Sequence, residues 1–241
     1  MKQRFLAHAL AALAGGVGLA GPVLAAPTYG NIVDPPGVYF GSGNVNGNWT
    51  IDTANNIEVA LRAKNRATLA TIDGSTGVYR AEPGFCNPTC SGGLKAMWNY
   101  EFSVNVRADG TGTADLDDFL VRMEVDTDPS AGFAWTVLNV LSNWPDNAYW
   151  DGSAPRINRQ SPIAGEFGAQ QSANPMFGDS GYGYLPGAGL YGLRLSVLGL
   201  TSGAVLAQTS TTVAVPEPGT MALAGLAFLG LAAVRRRQKT G

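Results

Sequence analysis

The stretch Trp98-Asn99-Tyr100-Glu101-Phe102-Ser103-Val104-Asn105-Val106-Arg107 decides the fold. Every second residue is apolar, and Asn99, Glu101, Ser103, Asn105 and Arg107 fill the alternate places. Successive side chains on a strand point to opposite faces, so this period reads as a half-buried β-strand. The same alternation runs through Phe119, Val121, Met123 and Val125, and through Ile57, Val59 and Leu61. Tyr191, Leu193, Leu195 and Val197 lead to Thr201-Ser202-Gly203, after which Val205, Ala207, Thr209, Thr211 and Val213 resume the pattern, predicting a closing hairpin. Phe133 to Leu141 is ambiguous in period but rich in the strand formers Trp, Thr and Val, and is assigned to a strand. Turns are frequent and the middle of the chain holds no amphipathic helix. The prediction is therefore all-β, an antiparallel β-sandwich of jelly-roll type over residues 26–214, with an up-and-down barrel as the alternative.

Both ends differ from this body. Met1-Lys2-Gln3-Arg4 is basic, Phe5 to Leu19 is apolar, and Gly21-Pro22 breaks the run before Val23-Leu24-Ala25. That pattern predicts a signal peptide over residues 1–25, cut by signal peptidase after Ala25. At the other end Pro216-Glu217-Pro218 precedes an uncharged run from Thr220 to Val234 and then Arg235-Arg236-Arg237. As a helix the run would span roughly 22 Å, short of the ~30 Å hydrocarbon core, so it is a marginal single transmembrane helix. The arginines belong on the cytoplasmic side, which leaves everything before Pro216 outside. A buried core helix would show a polar face, and this run shows none.

The proline-flanked glutamate, short apolar run and basic stop together resemble the PEP-CTERM sorting tail of Gram-negative bacteria, here residues 215–241. The resemblance covers the tail alone. It implies an exported protein held briefly in the inner membrane, cut near Pro216 to Pro218 by an exosortase, and delivered to the cell surface or extracellular matrix. It implies nothing about what the body does.

Composition narrows the chemistry. The single histidine, His8, falls in the signal peptide, which excludes Ser-His-Asp and Cys-His catalysis and histidine-ligated metal from the exported part. That part carries ten Lys and Arg against eighteen Asp and Glu, a formal charge of −8, which disfavours nucleic acid as a partner. Glu101, Glu124, Glu166 and the aspartates are candidates for a carboxylate pair in glycoside chemistry by residue type only, since no spacing selects two of them.

Trp144 to Tyr184 breaks the regular pattern, being rich in Pro, Gly, Asn and Ser with aromatic residues spread along it. Loops of such length are usually functional or disordered, and so many aromatics argue against disorder. Trp144, Tyr149 and Trp150 stand beside Pro145, Asp146, Asn147 and Asp151, a combination suited to stacking on neutral sugar rings, or else a satellite core beneath a loop. Asp126 and Asp128 are weak Ca²⁺ candidates, because the third ligand, glycine and distal glutamate of a calcium loop are missing; as turn formers they need no metal. Cys86 and Cys90 read as a local disulfide of an oxidising compartment, with a two-thiolate metal site as the alternative.

The sequence thus predicts an exported, non-enzymatic module without cofactor, interacting with exopolysaccharide or biofilm matrix or serving it structurally. A polysaccharide-modifying enzyme is the competing class. Ice binding is weaker, since regular Thr-x-Thr arrays are missing apart from Thr209-Ser210-Thr211-Thr212.

Overall fold

The computed structural model describes residues 26–40, 45–86, 95–130, 132–177, 187–217 and 219. The signal peptide, Cys90, Pro218, the apolar C-terminal run and Arg235 to Arg237 lie outside them. Among the described residues no helix is long and apolar enough to cross a membrane.

The regular structure of the described chain is almost entirely strand. In order it forms β1 (Thr28–Gly30), β2 (Trp49–Ala54), β3 (Ile57–Asn65), β4 (Val78–Arg80), β5 (Trp98–Asn105) and β6 (Phe119–Asp126). These are followed by β7 (Trp135–Asn139), the single-turn helix α1 (Val140–Asn143), β8 (Asn147–Trp150), β9 (Arg156–Arg159), β10 (Gly168–Ala173), β11 (Gly189–Gly199) and β12 (Val205–Val215). A seven-stranded sheet has the order β1-β2-β3-β5-β10-β8-β9, and a five-stranded sheet the order β4-β12-β11-β6-β7. Pairing is antiparallel except for β4 with β12, which run parallel, so the sheets are not wholly antiparallel as expected.

The alternation read from sequence sets the sandwich. Leu61, Tyr100 and Phe102 from one sheet meet Val121, Met123, Leu193 and Leu195 from the other in a single buried cluster. The predicted hairpin closes through Gly203 N–H to Gly199 O at 2.8 Å, with Gly203 at φ +63°, a conformation open to glycine at little cost. Gln208 N–H donates to Asp52 Oδ2 at 3.1 Å, tying the first half of β12 to β2 in the facing sheet.

Two expectations change. β5 is buried on both faces, with Asn99, Glu101, Ser103 and Asn105 between 3% and 4% exposed. The chain from Ile32 to Phe40 supplies part of that cover, crossing the polar face of the seven-stranded sheet. Val33 N–H donates to Glu58, Tyr39 N–H donates to Gln170 Oε1, and Gln170 Nε2 donates to Gly37 O and Ser103 Oγ. The irregular stretch after Trp144 is likewise more than loop. It supplies β8, β9 and β10, and β10 pairs with β5 and β8 inside the sheet. The strand expected at Phe133 to Leu141 is shorter, because Asn139 Oδ1 accepts Leu141 N–H and caps α1.

Candidate functional site

The outer face of the five-stranded sheet carries the clearest binding geometry. Asp126 pairs with Trp135 across β6 and β7, while Arg194 pairs with Glu124 and Ser210, and Gly192 with Thr212. These positions share the face opposite Leu193 and Leu195, which point into the core. Gly192 leaves bare backbone, and the Trp135 indole lies over it. Phe133, 61% exposed, stacks on Trp135 with ring centroids 4.9 Å apart and planes 24° apart. The Arg194 guanidinium stands 4.9 Å from the Trp135 ring and is held by two bonds to Glu124, at 2.5 and 2.6 Å. Those bonds lower the Glu124 carboxyl below its ordinary range and raise Arg194 above its own.

The result is a shelf of two aromatic rings, one of them largely exposed, beside an open trough of about 400 Å³ into which Arg194, Gln208, Ser210 and Thr212 turn. Rings of this kind offer an apolar, polarisable surface, and the bordering amide, hydroxyl and guanidinium groups offer hydrogen bonds. Sequence reasoning missed the shelf because Phe133 and Trp135 sit in a segment read only as an ambiguous strand. The available signal was two aromatics spaced i, i+2, which a strand places on one face.

The aromatics singled out from sequence are placed differently. Tyr149 is fully buried and bonds Gln160 O and Asn147, and burial pushes its hydroxyl up to about 12. Trp144 is 5% exposed and packs on Phe102 with centroids 5.3 Å apart, though its edge lines a pocket with Asp146 and Gln171. Trp150 stacks on Tyr39 at 5.8 Å. The three are packing residues and form no common exposed face.

Each glutamate considered for catalysis is paired with basic side chains. Arg62 Nε donates to Glu101 at 2.6 Å with Lys64 Nζ 3.2 Å away on the other oxygen. Glu166 accepts from Arg156, Arg159 and Ile163 N–H. Asp126 and Asp128 accept main-chain N–H groups of Ala134 and Ser130, as turn-forming aspartates do. Among the described residues no group of three or more His, Cys, Asp or Glu is placed to hold a metal ion. Thr209 and Thr211 are buried while Ser210 and Thr212 lie on the other face, so this segment presents no flat row of threonines. Cys86 is fully buried and is not a free thiol; its expected partner Cys90 lies outside the described residues.

At the end of β12 the ladder stops at Val215, and Pro216 and Glu217 follow without a spacer. Residues 214–237 match the PEP-CTERM protein-sorting motif, the mark of an exported, surface-directed protein handled by exosortase-type machinery. The match covers the tail and leaves the sandwich without a family. Neither a curated protein nor a solved structure matches the chain.

Proposed function

We propose that the sandwich is a polysaccharide-binding module of the cell surface or extracellular matrix, and that the Phe133–Trp135 shelf takes neutral sugar rings. The supporting observation is the ring pair, Phe133 exposed and Trp135 half-buried, fixed over Gly192 and bordered by Arg194, Ser210 and Thr212. A binding role is favoured over catalysis because Glu101, Glu124 and Glu166 all sit in ion pairs with arginine. The sorting motif supplies the setting: a chain freed from a short anchor near Pro216 meets the polymers outside the cell. In the fuller reading the producer is a Gram-negative bacterium, the anchor holds the chain in the inner membrane only until exosortase cuts it, and Cys86 and Cys90 close a disulfide during export.

The test is binding of the exported protein to the producer's exopolysaccharide and to neutral cello- and xylo-oligosaccharides. Trp135→Ala and Phe133→Ala are expected to weaken binding at least tenfold while leaving the melting temperature within a few degrees. Binding unchanged in both variants would refute the shelf.

A further inference from the structure

The last rungs of β12 hold the chain beside the motif on which sorting acts. β12 runs inside the five-stranded sheet, between β4 and β11, as far as Val215. Val213 and Val215 are buried, whereas Pro216 and Glu217 are exposed. The sorting match begins at residue 214, so its first two residues belong to the folded sheet. From Val215 the chain reaches Thr220, the start of the uncharged run, in five residues, which fully extended span roughly 17 Å. A body tethered so closely leaves an enzyme at the membrane surface little room to take up extended chain on the β12 side of residues 216–218.

The pairing of these rungs is light. On the β11 side Thr212 pairs with Gly192 and Val215 with Gly189, so both ends of the last four rungs rest on glycine. A glycine gives its partner no side chain to pack against. At Gly189 none would fit, since a Cβ there would lie 2.2 Å from Pro129 O. On the other side β4 is an edge strand of three residues. It offers Val78, Tyr79 and Arg80 in parallel register, continued by the Ala81 N–H bond to Ala214 O at 2.9 Å. Parallel pairing is slightly weaker per residue than antiparallel. Burial of the two valines closes the end of the strand, and the short latch and the two glycines let it open.

We propose that the folded sandwich gates its own sorting: the exosortase-type enzyme cuts those molecules in which residues 213–215 have come away from β4 and β11. Local opening of this kind supplies the extended chain, and where it is fast the rate of cutting follows the population of the open form. The gate rests on the preceding reading that the chain is cut near Pro216 to Pro218. The cut breaks one peptide bond, its amine leaving on the tail and its acyl group passing to water or to an amine. The sheet adds nothing to that chemistry and sets when it happens, so release is timed by how long the end of β12 stays shut.

The test is a pulse-chase of the full chain in the producing cells, with intact mass identifying the cut product. A six-residue Gly-Ser spacer inserted between Val215 and Pro216 is expected to speed cutting at least fivefold, because it frees the motif without disturbing the ladder. Val78→Gly loosens the latch at a position remote from the motif in sequence. It is expected to speed cutting at least twofold at the native spacing and not at all when combined with the spacer, which separates opening from recognition by the enzyme. Melting curves of the exported forms report folding, and Val78→Ala replaces Val78→Gly should the latter fail to fold. Equal rates in the parent and the spacer protein, or slower cutting with the spacer, would overturn the gate. Tail-bearing masses in every form would overturn the cleavage reading beneath it.

Discussion

Gly192 and Trp135 occupy one another's space: a Cβ on Gly192 would stand 2.7 Å from Trp135 Cη2 and 2.8 Å from Phe133 Cε1. The glycine is the seat of the aromatic shelf. Its backbone lies outside the left-handed region, so a side chain there would be opposed by the two rings and not by the strand itself. Gly192→Val is expected to lift both rings, lower affinity for neutral oligosaccharide at least tenfold, and change unfolding free energy by less than about 1 kcal/mol. Tryptophan fluorescence and a urea melt check the two halves of this outcome.

Glu58 makes the domain sensitive to pH. Burial raises its carboxyl to about 6 from an ordinary value of 4.5, while the Val33 N–H opposes the rise. A group whose folded value is raised contributes stability that is complete below the unfolded value and is lost as pH climbs through the folded one. Stability is therefore expected to fall by roughly 1–2 kcal/mol between about pH 4.5 and 6.5 from this group. In Glu58→Gln, which keeps an acceptor for Val33, that share of the slope in urea melts should vanish. An unchanged slope would show that Glu58 is not its source.

Glu166 anchors the β8–β9 edge. It is fully buried, and Arg156 and Arg159 both converge on it with Ile163 N–H. Removing the carboxylate takes the shared acceptor from both guanidinium groups and from the Ile163 N–H. Glu166→Ala is expected to cost about 3 kcal/mol in denaturant melts, with amide exchange rising first along Arg156 to Arg159.

Cys86 is tested by chemistry. Unfolded exported protein without reductant is expected to react with no thiol reagent, and Cys90→Ser to lower stability by roughly 2 kcal/mol. Two reactive thiols in the untreated protein would exclude the Cys86–Cys90 bridge.

Intact mass of surface material is expected to show a C-terminus between Pro216 and Pro218, with β12 retained to Val215. Recovery of chains still ending in Gly241 would mean that the tail stays attached.

How much of this was legible depends on which face of a strand carries apolar residues. β3, β5, β6 and β11 could be read because Leu61, Phe102, Met123 and Leu195 alternate with polar neighbours. β10 could not: Gly168-Ala169-Gln170-Gln171-Ser172-Ala173 has little apolar content, and it holds its central place through partners such as Ser103 and Gly37 that no local period reveals. The same blindness hid the burial of Ser103, since cover supplied from Ile32 to Phe40 leaves no trace in β5 itself. For the candidate sites, aromatic density pointed to Trp144 and Tyr149, which the core absorbed. Exposure was decided at Phe133 and Trp135 by a glycine far along the chain.

The segment from Ile32 to Phe40 also orders events in time. Its partners lie far ahead of it: Glu58 is 25 residues beyond Val33, and Gln170 is 131 residues beyond Tyr39. A chain that emerges N-terminus first therefore presents this segment early and must wait for β10 before seating it, and contacts of such long separation form slowly. Until then the polar row from Glu58 to Gln170 stays hydrated and the edge of the unfinished sheet stays available to other chains. What leaves first is secured last, and the domain's period of greatest vulnerability to self-association is set by its own opening residues.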